Sequence, residues 1–220
     1  MKILILTFST AISISSFGQF NFKPSHEISK RVEFVADVKG KNFVNGMDRM
    51  LDSVFQLDKN FDFEFRYWET GLIVNSTKVL ILAQRNKKWS ARYFYYNKDW
   101  QKDGKSLAEA QVDQSKLDQL WELLVHNNVL TLPSQDSLKN RMVKYVIDTA
   151  FLGFGHEEHF EIDDGILYEF ELSKPEKKRV YWYGCPQLLL KQYGNIEELF
   201  NAVELILLIQ RYLGLDETGC

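Results

Sequence analysis

Two groups of residues in this sequence carry side chains that could bind a ligand or a metal ion. One is a set of charged residues that alternate with aromatic residues along predicted strands. The other is a short segment rich in histidine and carboxylates, which contains His156, His159, Glu161 and Asp163. Imidazole and carboxylate groups are the usual protein ligands of divalent metals such as zinc. The sequence therefore offers a candidate ligand-binding surface and a candidate metal site.

The metal site depends on how the His156–Asp163 segment folds. On a strand, His159, Glu161 and Asp163 share one face, whereas His156 and His159 point to opposite faces. The segment also lacks the four-residue histidine spacing of the H-E-x-x-H motif, which requires a helix. The alternative interpretation is a charged hairpin whose side chains lie in solvent.

The charged residues on predicted strands have two interpretations as well. In one, mixed charges on neighbouring antiparallel strands form cross-strand pairs on a solvated face. In the other, they line a shallow pocket with an aromatic rim, and a hydrolase would need Glu64 or Glu169 close to a second acid. The predicted ligand-binding residues are Glu64, Arg66, Arg92, Glu169, Glu171, Arg179 and Tyr181.

The elements that must position these residues are strands. Between Phe61 and Tyr96, aromatic residues alternate with charged ones, and two short polar turns divide the stretch into three parts. This pattern predicts an antiparallel meander. The middle segment, Lys78 to Gln84, is nearly continuously apolar, which is typical of a central strand covered on both sides.

The rest of the chain predicts further strands and three main helices. Asp164-Gly165 predicts a hairpin between Glu158–Ile162 and Ile166–Leu172, and Arg179–Tyr183 predicts another strand. A weak helical pattern covers Asp136 to Asp148, and Glu33 to Val38 could form a short strand. The helices are predicted at Met47–Leu57, Leu117–His126 and Ile196–Leu213. The expected fold is α+β, an antiparallel sheet of five or six strands with these helices on its aromatic and aliphatic face.

A set of motifs in these strands is similar to a class of exported proteins. It comprises Phe63-Glu64-Phe65-Arg66, Trp89, Asp164-Gly165, Tyr168, Phe170-Glu171, Tyr181-Trp182-Tyr183 and Pro186. The series resembles uncharacterised exported bacterial proteins of about this size, over roughly the last two-thirds of the chain after its predicted leader. The resemblance implies no known activity and transfers no functional residue.

Charge and the two ends of the sequence bound the location of the protein. The 220 residues carry a net charge of −3, which gives no basic surface for nucleic acid. Residues 1–18 have the charged, apolar and small-residue regions of a signal peptide, with cleavage predicted between Gly18 and Gln19. Residues 19–220 are then one domain, exported to the periplasm or the extracellular space. No later segment approaches the ~20 apolar residues of a transmembrane helix. The two cysteines, Cys185 and Cys220, could pair after export.

These observations favour a non-catalytic module that binds a small molecule or a protein through the charged and aromatic face of its sheet. The alternative is a hydrolase outside the cytoplasm that uses paired carboxylates or the histidine and glutamate cluster. The sequence predicts no cofactor, since it has no P-loop, no G-x-G-x-x-G and no C-x-x-C. It leaves open whether any reaction is catalysed.

Overall fold

A six-stranded antiparallel sheet forms the centre of the fold. The computed structural model describes residues 31–36, 60–71, 76–97, 107–148, 154–158 and 165–215. The strands are β1 (Phe63–Gly71), β2 (Ser76–Arg85), β3 (Lys88–Asn97), β4 (Leu107–Ala110), β5 (Lys144–Asp148), β6 (Phe154–Glu158), β7 (Ile166–Lys174) and β8 (Lys177–Gly184). The large sheet has the order β4-β3-β2-β1-β7-β8, and β5 pairs with β6 in a separate two-stranded sheet. The predicted α+β fold and the meander are confirmed.

The meander forms where the sequence places its turns. β2 and β3 are joined by Asn86 and Lys87, whose φ angles of 49° and 63° are both positive. A two-residue hairpin with two positive φ angles matches the right-handed twist of the strands, and asparagine tolerates this conformation well. The turn fixes a register in which Arg85 lies opposite Lys88 and Leu80 opposite Tyr93. Apolar and aromatic residues of neighbouring strands therefore fall on the same face.

Three helices are described: α1 (Leu117–His126), α2 (Pro186–Gln192) and α3 (Glu197–Tyr212). Buried residues of α1 and α3 join one core with the aromatic residues of the strands, and Trp121 lies near its centre. The Trp121 ring lies 5.0 Å from Phe63 and 5.0 Å from Trp89, measured between ring centroids. Large aromatic side chains bury much apolar surface, so this contact holds α1 against the sheet. Two of the three predicted helices are confirmed, and Met47–Leu57 lies outside the described residues.

Three local predictions are wrong. β7 pairs with β1 along one edge and with β8 along the other, so Ile166–Leu172 has no edge left for the predicted hairpin with Glu158–Ile162, of which only Glu158 is described. Within Asp136 to Asp148, a 3-10 helix (Gln135–Arg141) is followed by β5 instead of one longer helix. Residues 31–36 have no regular structure, where a strand was expected from Glu33.

Other predictions concern the ends of the chain. Residues 1–18 and Cys220 lie outside the described residues, so the signal peptide stays a prediction. Cys185 is disulfide-bonded, and its left-handed backbone conformation, with φ of 40°, precedes α2. Among the described helices, none is long and apolar enough to cross a membrane.

Candidate functional site

The register of the strands divides the seven predicted ligand-binding residues between the two faces of the sheet. Residues directly opposite each other in an antiparallel pair point to the same side. Arg66 lies opposite Glu171, and Leu172 lies opposite Arg179. Five residues therefore share one face, which we call the charged face: Glu64, Arg66, Arg92, Glu169 and Glu171. Arg179 and Tyr181 lie on the opposite face, where the helices pack.

The charged face is buried at its centre, so the prediction of a solvated surface is wrong. The exposed fractions are 3% for Glu64, 7% for Arg66, 1% for Glu169 and 4% for Glu171. Arg66 Nε donates to Glu64 Oε1 over 2.7 Å, and Lys178 Nζ lies 2.8 Å from Glu171 Oε1. Buried charges are stable only when paired and hydrogen-bonded. These carboxylates therefore contribute to a polar interior instead of lining an open pocket.

Apolar side chains on the charged face are buried together with its charged residues. Trp68, Val79, Ile81 and Phe94 form a second, smaller core cluster on this side of the sheet. At its margin, Arg92 lies over the ring of Phe94 and makes a two-point ion pair with Glu109, at 2.7 and 2.8 Å. That pair raises the pKa of Arg92 and lowers the pKa of Glu109. The sheet therefore has core clusters on both faces.

Arg179 and Tyr181 bind the main chain of a neighbouring segment. The two terminal nitrogens of Arg179 donate to the carbonyls of Leu130 and Leu132, each over 2.7 Å. The Tyr181 hydroxyl donates to the Val129 carbonyl over 2.8 Å. Gln135 completes the contact, since its side-chain oxygen accepts from the Gly184 amide. The segment from 129 to 135 thus covers the outer edge of β8, which would otherwise present unpaired backbone groups.

The predicted metal site lies largely outside the described residues. The backbone of His156 forms part of β6, opposite Val146, but its side chain is not among those described. His159, Glu161 and Asp163 are all outside the described ranges. Among the residues that the structure describes, no cluster of three histidine, cysteine or carboxylate side chains could hold a metal ion. The metal site therefore remains a sequence prediction.

A buried polar network on the helix-packed face was missed from the sequence. Glu69 accepts hydrogen bonds from the Tyr67 hydroxyl over 3.1 Å and from Gln210 Nε2 over 3.2 Å. It also forms an ion pair with Lys78, which lies directly opposite it on β2. The pKa of Tyr67 lies well above its usual value, mainly because the hydroxyl is buried and also because the Glu69 carboxylate is close by. The signal was present, because Glu69 continues the alternation of Phe63, Phe65 and Tyr67 into the core.

A groove lies at this end of the sheet, on the same face. Its walls are Tyr93 and Tyr95 of β3, the segment Ala110–Asp113, and the end of α3 from Arg211 to Gly214, including Tyr212. The cavity has a volume of about 340 Å³. We call it the tyrosine groove. Small-molecule sites are typically concave, mostly aromatic or apolar, and between roughly 300 and 1,000 Å³. The tyrosine groove is at the lower end of that range, which suits a ligand of one or two rings.

The three tyrosines of the groove differ in their surroundings. The rings of Tyr93 and Tyr95 meet edge to face, with centroids 4.7 Å apart. Tyr93 is 2% exposed, and its hydroxyl has no hydrogen-bond partner in the described part of the chain. Burial raises the pKa of Tyr93; the Tyr95 hydroxyl adds to the rise, although the two do not meet the geometry of a hydrogen bond. The Tyr212 hydroxyl donates to the backbone carbonyl of Asp113. Burial raises the pKa of Tyr212 to about 12.

The segment between β4 and α1 is held so that it can form the wall of the groove. The side-chain amide of Gln114 accepts from the Ala91 amide and donates to the Ala91 carbonyl, each over 2.9 Å, as a strand residue would. Asp113 accepts from the backbone and side chain of Ser115, which lowers the pKa of its carboxyl. A second cavity of about 420 Å³ lies against Ala91 and Gln114 and shares the Ala110–Val112 wall. The groove is therefore built on fixed backbone.

Comparison with known proteins adds no relative. The chain matches no family model, no curated protein and no solved structure.

Proposed function

We propose that this chain is an exported, non-catalytic binding protein whose ligand site is the tyrosine groove. The observation that carries the proposal is the groove itself, a concave cavity of about 340 Å³ whose described lining includes Tyr93, Tyr95, Tyr212 and Arg211. Tyrosine and arginine are enriched at binding sites because each combines a large contact area with a polar end. The signal-peptide pattern of residues 1–18 supports export.

The proposed site differs from the charged face predicted from the sequence. Glu64, Arg66, Glu169 and Glu171 are buried, so a ligand could reach them only after part of the fold had opened. Arg179 and Tyr181 are committed to main-chain carbonyls. The tyrosine groove is accessible without such opening, and part of its wall comes from the predicted third strand of the meander and from the predicted final helix.

Filling the groove tests the proposal. Ala110 is half-buried and lines both cavities, whereas Ala108 is two residues earlier on the same strand, is exposed and lines neither. Ala110→Trp should fill the groove, and Ala108→Trp is the matched control, since tryptophan is well tolerated in strands. The probes are a panel of monosaccharides, nucleosides and aromatic acids, screened by thermal shift and confirmed by calorimetry.

The expected result is a probe that stabilises the wild type and Ala108→Trp but not Ala110→Trp, and that is recovered chemically unchanged. A ligand bound at saturation stabilises only the folded state, so the shift should grow with probe concentration. Probes that stabilise all three proteins equally, or none of them, would contradict the assignment of the groove.

A hydrolase outside the cytoplasm is the second candidate, and one observation favours it. Glu64, Glu169 and Glu171 are three buried carboxylates on neighbouring strands, and burial beside like charges is how catalytic acids are tuned. Chromogenic esters and glycosides are suitable substrates. Turnover that is lost in Glu169→Gln with the fold intact would favour the hydrolase, whereas no turnover by the wild type would count against it.

A further inference from the structure

We infer that the tyrosine groove receives an aromatic side chain of an extended peptide, which pairs with the outer edge of β4 as an added antiparallel strand. The inference rests on the proposed function and specifies its ligand class. It follows from the direction of the backbone groups of β4, from the exposure of this strand, and from the position of the groove beside it.

The backbone of Glu109 points away from the sheet. Gln114 binds both the amide and the carbonyl of Ala91, so these two groups point away from β2, towards the side where β4 lies. Backbone groups alternate in direction along a strand, so those of Tyr93 point the same way and meet Ala110, which lies opposite. Glu109 precedes Ala110 and therefore directs its N–H and C=O outward. A donor and an acceptor placed in this way are what a further strand binds.

The β4 edge of the sheet is open, in contrast to the β8 edge, which the segment from 129 to 135 covers. In the described part of the chain, no segment binds the outward groups of β4, and its residues Ala108 and Glu109 are exposed. The Glu109 carboxylate does not shield the edge, because Arg92 of β3 holds it through hydrogen bonds of 2.7 and 2.8 Å. An open edge is a template for pairing with another chain.

The tyrosine groove lies where the side chains of an added strand would enter it. In an antiparallel pair, a peptide residue opposite Ala110 has its side chain on the same face as Ala110, which is the face of Tyr93 and the groove. Ala108 and Ala110 are small, so they leave room beside them for a larger side chain. The second cavity, of about 420 Å³, is lined by Glu109 and Gln111 and adds open space next to the strand.

The accessible rings of the groove favour an aromatic side chain. Tyr95 and Tyr212 are only half-buried, so a ligand can reach their rings. Aromatic rings pack well edge to face, as Tyr93 and Tyr95 do here, and a further ring can extend this arrangement. Main-chain hydrogen bonds at a sheet edge give affinity, and a pocket for alternate side chains gives specificity. The groove is therefore the specificity pocket of a peptide site.

Calorimetric titration of the full-length protein with synthetic peptides tests the inference. The probes are capped heptapeptides of threonine whose central residue is tryptophan, tyrosine, leucine or alanine. The tryptophan and tyrosine peptides should bind about 10-fold or more tightly than the alanine peptide, because they bury a ring. N-methylation of the central residue should leave binding intact, since that nitrogen points away from β4. N-methylation of the next residue, which lies opposite Glu109, should weaken binding by about 3–10-fold, the effect of one hydrogen bond.

Two substitutions of one residue test the edge from the protein side. Glu109→Pro and Glu109→Ala both lose the carboxylate that pairs with Arg92, but only proline also removes the outward N–H. Proline is tolerated at such a position of an edge strand, because the missing N–H takes no part in the ladder. The tyrosine peptide should bind Glu109→Pro about 3–10-fold more weakly than Glu109→Ala.

The other outcomes separate this inference from the proposed function. Equal binding to Glu109→Pro and Glu109→Ala, or equal effects of the two N-methylations, would overturn strand pairing. Peptide binding without a preference for a ring, or peptide binding that Ala110→Trp does not weaken, would remove the side chain from the groove and overturn the inference. Peptides that fail to bind, while an aromatic acid binds and is blocked by Ala110→Trp, would overturn the peptide and leave the groove as the ligand site. No binding of any peptide or small probe would overturn both proposals.

Discussion

Replacing Arg179 with methionine tests whether this residue is structural. Its guanidinium donates to the carbonyls of Leu130 and Leu132, each over 2.7 Å, and it is 8% exposed. Arg179→Met keeps most of the apolar stem and removes both donors. The two carbonyls then lose their charge-assisted hydrogen bonds, and the segment that covers the β8 edge loses its main attachment.

The expected cost follows from these two bonds. A hydrogen bond to a charged group contributes about 1.5–3 kcal/mol. Part of the loss is offset because the variant no longer has to bury a charged guanidinium away from water. We therefore expect Arg179→Met to lower the free energy of unfolding by roughly 3–4 kcal/mol. In a chain of this size each kcal/mol lowers Tm by about 2–4 °C, so Tm should fall by roughly 6–16 °C.

Urea unfolding and a thermal scan measure this effect, with Arg141→Met as the matched control. Arg141 pairs with Glu198 over 2.6 Å, but its side chain is 49% exposed. Pairs of this kind contribute about 0–1 kcal/mol, so the control should change stability little. Equal costs for the two variants would refute the structural role. Lost ligand binding in Arg179→Met at unchanged stability would restore the binding role predicted from the sequence.

Three further predictions concern a buried ion pair, a tyrosine of the groove and the disulfide. Arg66→Met should cost about 3–5 kcal/mol because it leaves Glu64 buried without its guanidinium, and adding Glu64→Leu should recover most of that cost in a urea double-mutant cycle. The raised pKa of Tyr212, about 12, means that the folded state holds its proton more tightly; stability should therefore fall as pH rises above 10, and Tyr212→Phe should reduce that slope in denaturant unfolding. Since the sequence has one other cysteine, peptide mapping should join Cys185 to Cys220, and reduction should lower the free energy of unfolding by about 2–4 kcal/mol.

The architecture was predictable wherever a periodic pattern decided it. Alternation placed β1, β3 and β8, and the Leu117–His126 helix agrees with its prediction residue for residue. The partners of β7 were not predictable, because a turn signal such as Asp164-Gly165 acts over a few residues, whereas strand pairing depends on segments far apart in the chain. β7 is paired on both edges, by β1 and β8, which leaves no edge for the predicted strand Glu158–Ile162.

The charged face shows what alternation cannot decide. Alternation with a period of two shows which residues share a face of the sheet. It does not distinguish solvated from buried ion pairs, because both give the same pattern of glutamate and arginine. The apolar run of β2 was the better guide, because a strand covered on both sides conflicts with a solvated face beside it. Trp68, Val79 and Ile81 lie on that face and confirm the conflict.

The tyrosine groove could not have been found from the sequence. Its walls come from β3, from the segment after β4 and from the end of α3, which are far apart in the chain. None of the three carries a motif, since an aromatic pair on a strand or a tyrosine in the last turn of a helix is ordinary core composition. Glu69, in contrast, stood at a core position of β1 and was the visible sign of a polar network near this end of the sheet.

Nuclear magnetic resonance of ¹⁵N-labelled protein would show at residue level whether a ligand binds in the tyrosine groove. The labelled protein would be titrated with the sugar and aromatic probes, following the backbone amides. Binding in the groove should shift the amides of Tyr93, Tyr95, residues 110–113 and residues 211–214, and the shifts should saturate with probe concentration. Shifts centred on Arg66 and Glu171, with the groove unchanged, would contradict it.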